Sequence, residues 1–185
     1  REAENARQGK EARIIAKMNS LCDPVIIKAL YEASNAGVKI DLIIRGICCL
    51  KTGIKDLSEN ITVRSIVGNF LEHSRIFYFY NDGFEDVYMG SADWMPRNLD
   101  KRVEITFPVE DEDLKKKVIE IIHIQLADTL KAHIMQPDGT YDKQDLRGRD
   151  KLEAQSFFCK QATNAVKEEE KKPVARVFVP RTKIE

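Results

Sequence analysis

Two apolar runs separated by a capped helix constrain this chain more than any other feature. "ARIIAKM" (12–18) is short and largely apolar, as a strand buried on both faces must be. Asp23-Pro24 follows, a capping carboxylate and then a proline, whose missing N–H is no loss in a first helical turn. Ile26, Ile27, Leu30 and Ala33 recur at helical spacing, and Gly37 stands where a helix stops. The spacing predicts a helix over 24–36. "KIDLIIRG" (39–46) reads as a second strand. Strand, helix and strand in succession form a right-handed βαβ unit, and its two strands run parallel.

The rest of the pattern extends a sheet. "ITVRSIV" (61–67) is strand-like, "GNFLEH" a short helix or turn, and "RIFYFY" (75–80) an aromatic strand. "NDG" (81–83) signals a hairpin into "EDVYMGS". In "RVEITFPV" (102–109), Val103, Ile105 and Phe107 alternate with Arg102, Glu104 and Thr106, which predicts a strand with one buried face. "EDEDLKKKVIEIIHIQLADTLKAHI" (110–134) predicts one long amphipathic helix with acids in its first turn and basic residues near its end; His123 and His133 fall on it. "PDGTY" (137–141) is a turn and 150–166 a further helix, followed by a charged, loose tail. The expected fold class is α/β, a mixed β-sheet flanked by helices. Arg1 in place of a methionine, and the charged opening, read as an excised piece of a longer protein. The expected divisions are a helical lead-in over 1–11, a core domain over 12–145, and a C-terminal helix with a charged tail over 146–185.

Composition excludes several classes. Thirty basic residues balance thirty acidic ones, which argues against a bulk nucleic-acid or polybasic membrane binder. No apolar run approaches the ~20 residues that span a bilayer. Cys22, Cys48, Cys49 and Cys159 lack metal-ligand spacing and read as reduced, mostly buried thiols.

Chemistry is expected beyond the carboxyl ends of the parallel strands. Lys17 and Asn19 lie at one such end and Arg45 at another, followed by Gly46, which permits a ligand to approach the backbone closely. A lysine, an amide and a guanidinium fork there suit an anionic, phosphate-bearing ligand. His73 and Arg75 are two apart at a junction between a turn and a strand, and a strand that begins at His73 puts both on one face. Imidazole changes charge near neutrality, so His73 is either a reactive group or a polar residue left at a strand start; local physics leaves both open. Gly90-Ser91 offers N–H groups and a hydroxyl toward a phosphate. Asp93 is placed to orient a histidine or to pair with Arg97 or Arg102, Trp94 reads as core, and Glu72 as a solvent-facing acid.

With "FLEHSRIFYF", "GSADWMPRNLDKRVE", "KMNSL-D" and "IIRGIC" in this order, the chain resembles the C-terminal part of the long-chain polyphosphate kinase family, from about residue 9 to about residue 145. That family in turn is similar to the phospholipase D superfamily, whose pattern is H-x-K-x4-D followed by G-S-x-N. Here His73-Ser74-Arg75 gives H-x-R, Gly90 to Asp93 gives G-S-x-D, and Tyr80 stands at the aspartate position. The resemblance implies a phospholipase D-like half and reversible transfer of the terminal phosphate of ATP to inorganic polyphosphate, with magnesium and through a phosphohistidine in a preceding half. It assigns Arg45 to the nucleotide phosphates and His73 to the same phosphates, as proton donor or charge stabiliser. Lys17, Asn19, Arg75, Ser91, Asp93 and Arg97 are supporting candidates, and no metal ligand is expected here. Expected partners are ATP or ADP, polyphosphate, the upstream domains and further copies of the chain. The expected location is the cytoplasm, at most peripheral to the inner membrane face. Two other readings stand beside this one, a phosphodiesterase half and a non-catalytic phosphate-binding or oligomerisation module.

Overall fold

The computed structural model describes residues 1–170. Its frame is an eight-stranded mixed sheet. The strands are β1 (Arg13–Met18), β2 (Lys39–Ile44), β3 (Ile61–Ile66), β4 (Arg75–Phe79), β5 (Asp86–Gly90), β6 (Thr106–Pro108), β7 (Ala132–Met135) and β8 (Tyr141–Lys143). Their order across the sheet is β6-β5-β4-β1-β2-β3-β7-β8. The pairs β1–β2 and β2–β3 are parallel; β1–β4, β4–β5, β5–β6, β3–β7 and β7–β8 are antiparallel.

Alternation along the central strands divides the core between two faces. Ile14, Ala16 and Met18 pack with Ile40, Leu42 and Ile44 and with Leu30 and Ala33 of α2 (Pro24–Asn35). Ile15, between them in sequence, faces the other way, onto Ile76, Tyr78 and Val118 and Ile122 of α4 (Glu112–Leu126). A helix on each face explains why β1 and β2 are buried almost throughout. The Asp23 side chain accepts from the Ile26 amide at 2.9 Å, capping α2 as expected. α1 (Glu2–Arg7) is built into this layer through Ala3 and Ala6. The buried Glu2 carboxylate accepts from the amides of Arg13 at 3.1 Å and Asn81 at 2.8 Å.

Several expectations are corrected. The long helix stops at Leu126, and its expected last turns are instead a corner and strand β7, which carries His133. Buried Asp128 makes the corner. Its carboxylate accepts from the amides of Lys131, Ala132 and Ala154, replacing helical hydrogen bonds and pinning the start of α5 (Ala154–Glu170). The "RVEITFPV" segment has no buried face: Val103 is 100% exposed, Ile105 62% and Phe107 46%, because only 106–108 pair, as an edge strand. "GNFLEH" is irregular rather than helical. Residues 167–170, expected in the tail, continue α5; the remainder of the tail lies outside the described residues. All four cysteines are free, but Cys49 and Cys159 are exposed and Cys22 and Cys48 only half-buried, since the first three sit in the irregular ends after β1 and β2.

Candidate functional site

Strand direction alone gathers the site. β1 and β2 are parallel, so Asn19 and Arg45 leave the sheet at the same edge. β4 runs against β1 and begins at that edge, bringing Arg75 and His73; β5 runs back and ends there, bringing Ser91 and Asp93. The Gly46 amide donates to the Asn19 carbonyl at 2.7 Å, and a Cβ at Gly46 would lie 2.9 Å from that oxygen. The close approach that glycine permits is therefore to the protein's own backbone.

Side chains continue this contact into one line. Arg45 donates from Nε and Nη2 to Oδ1 of Asn19, at 3.3 and 3.0 Å. Asn19 donates its backbone amide to Oδ1 of Asp93 at 2.8 Å and its Nδ2 to Oδ2 at 3.4 Å. Arg75 meets the same carboxylate side-on, Nε to Oδ1 at 3.1 Å and Nη2 to Oδ2 at 3.3 Å. Its remaining Nη1 donates to the His73 carbonyl at 2.9 Å and lies 3.1 Å from Nδ1 of the His73 ring. Arg45, Asn19, Asp93, Arg75 and His73 thus form a single chain, and Asp93 pairs with Arg75 rather than with Arg97 or Arg102. Trp94, next to Asp93, stacks on Phe77 with centroids 5.0 Å apart and belongs to the core, as expected.

Charge follows from these contacts. Burial pushes the Asp93 carboxyl up, but the hydrogen bonds from Arg75 and from the Asn19 amide outweigh it and hold the group below the usual carboxylate range. Asp93 is therefore a fixed anion that orients one guanidinium, while Arg45 is held only by a neutral amide. Nη1 of Arg75 also lies 3.5 Å from Nε2 of the His73 ring, so the guanidinium sits against both ring nitrogens. His73 is exposed, at the mouth of the line. A cavity of about 230 Å³ opens beside Arg45, lined by Gly46, Ser65, His133 and Tyr141 as well. A larger cavity of about 440 Å³, around Arg64 and Lys143, contains none of these five residues.

The other expected residues lie differently. Lys17 is inside β1, buried on the α4 face, with its ammonium 2.8 Å from Oγ and 3.2 Å from the carbonyl of Ser74 and 3.3 Å from Oε2 of Glu72. Three acceptors thus surround its three N–H donors. Burial lowers the pKa of Lys17, the Glu72 carboxylate raises it, and the net direction is down. Glu72, expected to face solvent, is instead tied to Lys17, Gln125 and Gln155. No sequence pattern marks that set, because its members come from four distant segments. The Ser91 hydroxyl donates to the Glu104 carboxylate, and its amide donates to the Ile105 carbonyl at 3.0 Å, both within the hairpin to β6. Arg97 is exposed on α3 (Pro96–Lys101).

Among the described residues no three His, Cys, Asp or Glu side chains converge to hold a metal ion. Both oxygens of Asp93 already face Arg75 and Asn19.

Comparison with known proteins bears first on the fold. The fold resembles that of Nuc from Salmonella typhimurium, a phospholipase D family member, with a TM-score of 0.52 at 18% identity over 72% of this chain and 88% of that one. Closer similarity is to the polyphosphate kinase structure from Porphyromonas gingivalis, with a TM-score of 0.86 and 41% identity over 90% of this chain and 26% of that one. The polyphosphate kinase of Burkholderia ambifaria (strain MC40-6) is 60% identical over 141 residues, 76% of this chain and 20% of the relative. The family described as polyphosphate kinase C-terminal domain 2 matches residues 1–155. The chain belongs to that family, and it spans about a fifth of the length of the curated relatives it matches. Among the described residues no helix is long and apolar enough to cross a membrane.

Proposed function

We propose that this domain supplies one half of a phosphoryl-transfer site, which binds the phosphates of ATP or ADP and exchanges the terminal phosphoryl group with inorganic polyphosphate. The observation that carries the reading is the line from Arg45 to His73, which places two guanidinium groups and an imidazole at one sheet edge around a single carboxylate. Transfer of a phosphoryl group requires positioning and neutralisation of charge on its oxygens rather than elaborate covalent machinery. Arg45, anchored on Asn19 through two of its nitrogens, keeps further N–H donors for phosphate oxygens. Arg75 holds His73 in place, and the exposed ring is open to an anionic oxygen.

The phosphoryl acceptor in this reading is a histidine of a preceding half. As its nitrogen bonds to phosphorus, the bond from phosphorus to the ADP oxygen breaks; attack by the terminal oxygen of polyphosphate then frees the ring. Magnesium accompanies the nucleotide phosphates, and no described residue of this domain is assigned to it. The domain works beside the upstream domains in an oligomer, in the cytoplasm or at the inner face of the membrane. A phosphodiesterase half is the weaker reading, because Arg75 and Tyr80 replace the lysine and aspartate of that pattern.

Arg45→Ala in the complete polyphosphate kinase tests the assignment. A charge-assisted phosphate contact is worth about 1.5–3 kcal/mol, so nucleotide affinity should fall ~10–100-fold. Unchanged affinity for ATP and ADP would refute it.

A further inference from the structure

His73 sits on a segment that hydrophobic burial does not hold. The residues before it point outward: Phe70 is 61% exposed and Leu71 71%. Something else must set the path of 67–74, and the structure shows what does. Gln155, at the start of α5 and distant in sequence, inserts its amide beside Phe70 as a strand neighbour would. Its Oε1 accepts from the Phe70 amide at 3.0 Å, and its Nε2 donates to the Phe70 carbonyl at 2.9 Å. The same Nε2 donates to Glu72 at 3.0 Å. The room for this amide exists because residue 68 is glycine, where a Cβ would lie 2.3 Å from Oε1 of Gln155.

Glu72 and Ser74, the two neighbours of His73, are both tied inward to the buried Lys17 ammonium. With Glu72 and Ser74 both held on Lys17, the exposed His73 ring between them lies against Nη1 of Arg75. We propose that Gln155 is a positioning residue for His73, acting through the Phe70 backbone and Glu72, so that docking of α5 sets the geometry of the site. This rests on the phosphoryl-transfer reading only for its effect on rate; the effect on the segment is independent of it.

The test uses Gln155→Leu and Gly68→Ala in the complete kinase. The first removes the amide while keeping an apolar side chain of similar reach; the second pushes the amide out without altering it. Each should lower kcat for polyphosphate synthesis ~10–100-fold, the scale expected when a reacting group is misplaced by about 1 Å. Amide hydrogen exchange across 68–74 should quicken in both, with β1 and β2 as protected as in the parent. Parental kcat in Gln155→Leu, beside an inactive His73→Ala, would overturn the positioning role while leaving the functional reading intact. Unchanged exchange at 68–74 would overturn it whatever the rates, as would loss of protection throughout the sheet. Active His73→Ala with faster exchange at 68–74 would instead sink the functional reading and keep the structural link.

Discussion

Arg75 and Asp93 meet side-on, with Nε 3.1 Å from Oδ1 and Nη2 3.3 Å from Oδ2, and both side chains are only 11% exposed. That pair holds the middle of the line. Asp93 also receives the Asn19 amide, so one carboxylate fixes the end of β1 and the start of β4 together.

The first prediction concerns acid. The folded-state pKa of Asp93 is lowered, so its stabilising contribution is present above the unfolded value of about 3.9 and is lost as pH falls through the folded value. Asp93→Ala should cost about 3 kcal/mol near neutrality, because Arg75 is left in a poorly solvated place without its partner. In urea unfolding the gap between parent and variant should narrow below about pH 4. A gap of the same size at pH 3 and pH 7 would show that the pair is not the source.

Much of this site was legible in sequence, and the rest was hidden for identifiable reasons. The βαβ opening carries its own punctuation, Asp23-Pro24 and Gly37, and the structure follows it closely. His73 and Arg75 do meet, but β4 begins only at Arg75, and His73 reaches its guanidinium from the irregular segment before the strand. The end of α4 was not legible: "LADTLKAHI" contains no glycine or proline, and the chain turns there because Asp128 captures three amides, one of them from α5. Tertiary hydrogen bonds override local helical preference at such corners. Lys17 reads as a strand-end cation, yet alternation turns it onto the α4 face, where Glu72 and Ser74 take up its donors.

A second prediction tests the strand-end contact. In Gly46→Ala the new methyl group would sit 2.9 Å from the Asn19 carbonyl and 3.2 Å from the Ser20 hydroxyl, so Arg45 and Asn19 must separate. We expect kcat/KM to fall ~10-fold or more with modest loss of stability, since misplacement rather than unfolding is the consequence. Parental kcat/KM would mean that the Arg45–Asn19 contact does not matter to turnover.

A third concerns α1. Glu2→Ala strands the amides of Arg13 and Asn81 without their acceptor, and should cost about 1–3 kcal/mol. Denaturant unfolding measures it. A loss below a few tenths of a kcal/mol would mean that water replaces the carboxylate at both amides.

The central claim, that His73 handles charge during phosphoryl transfer, is met most directly by one rate. In the complete kinase, ATP-dependent polyphosphate synthesis by His73→Ala should fall by at least ~100-fold, the usual consequence of losing a transition-state contact of about 3 kcal/mol. The thermal midpoint should stay near that of the parent, because the ring is exposed. A folded His73→Ala enzyme that synthesises polyphosphate at close to the parental rate would contradict the account.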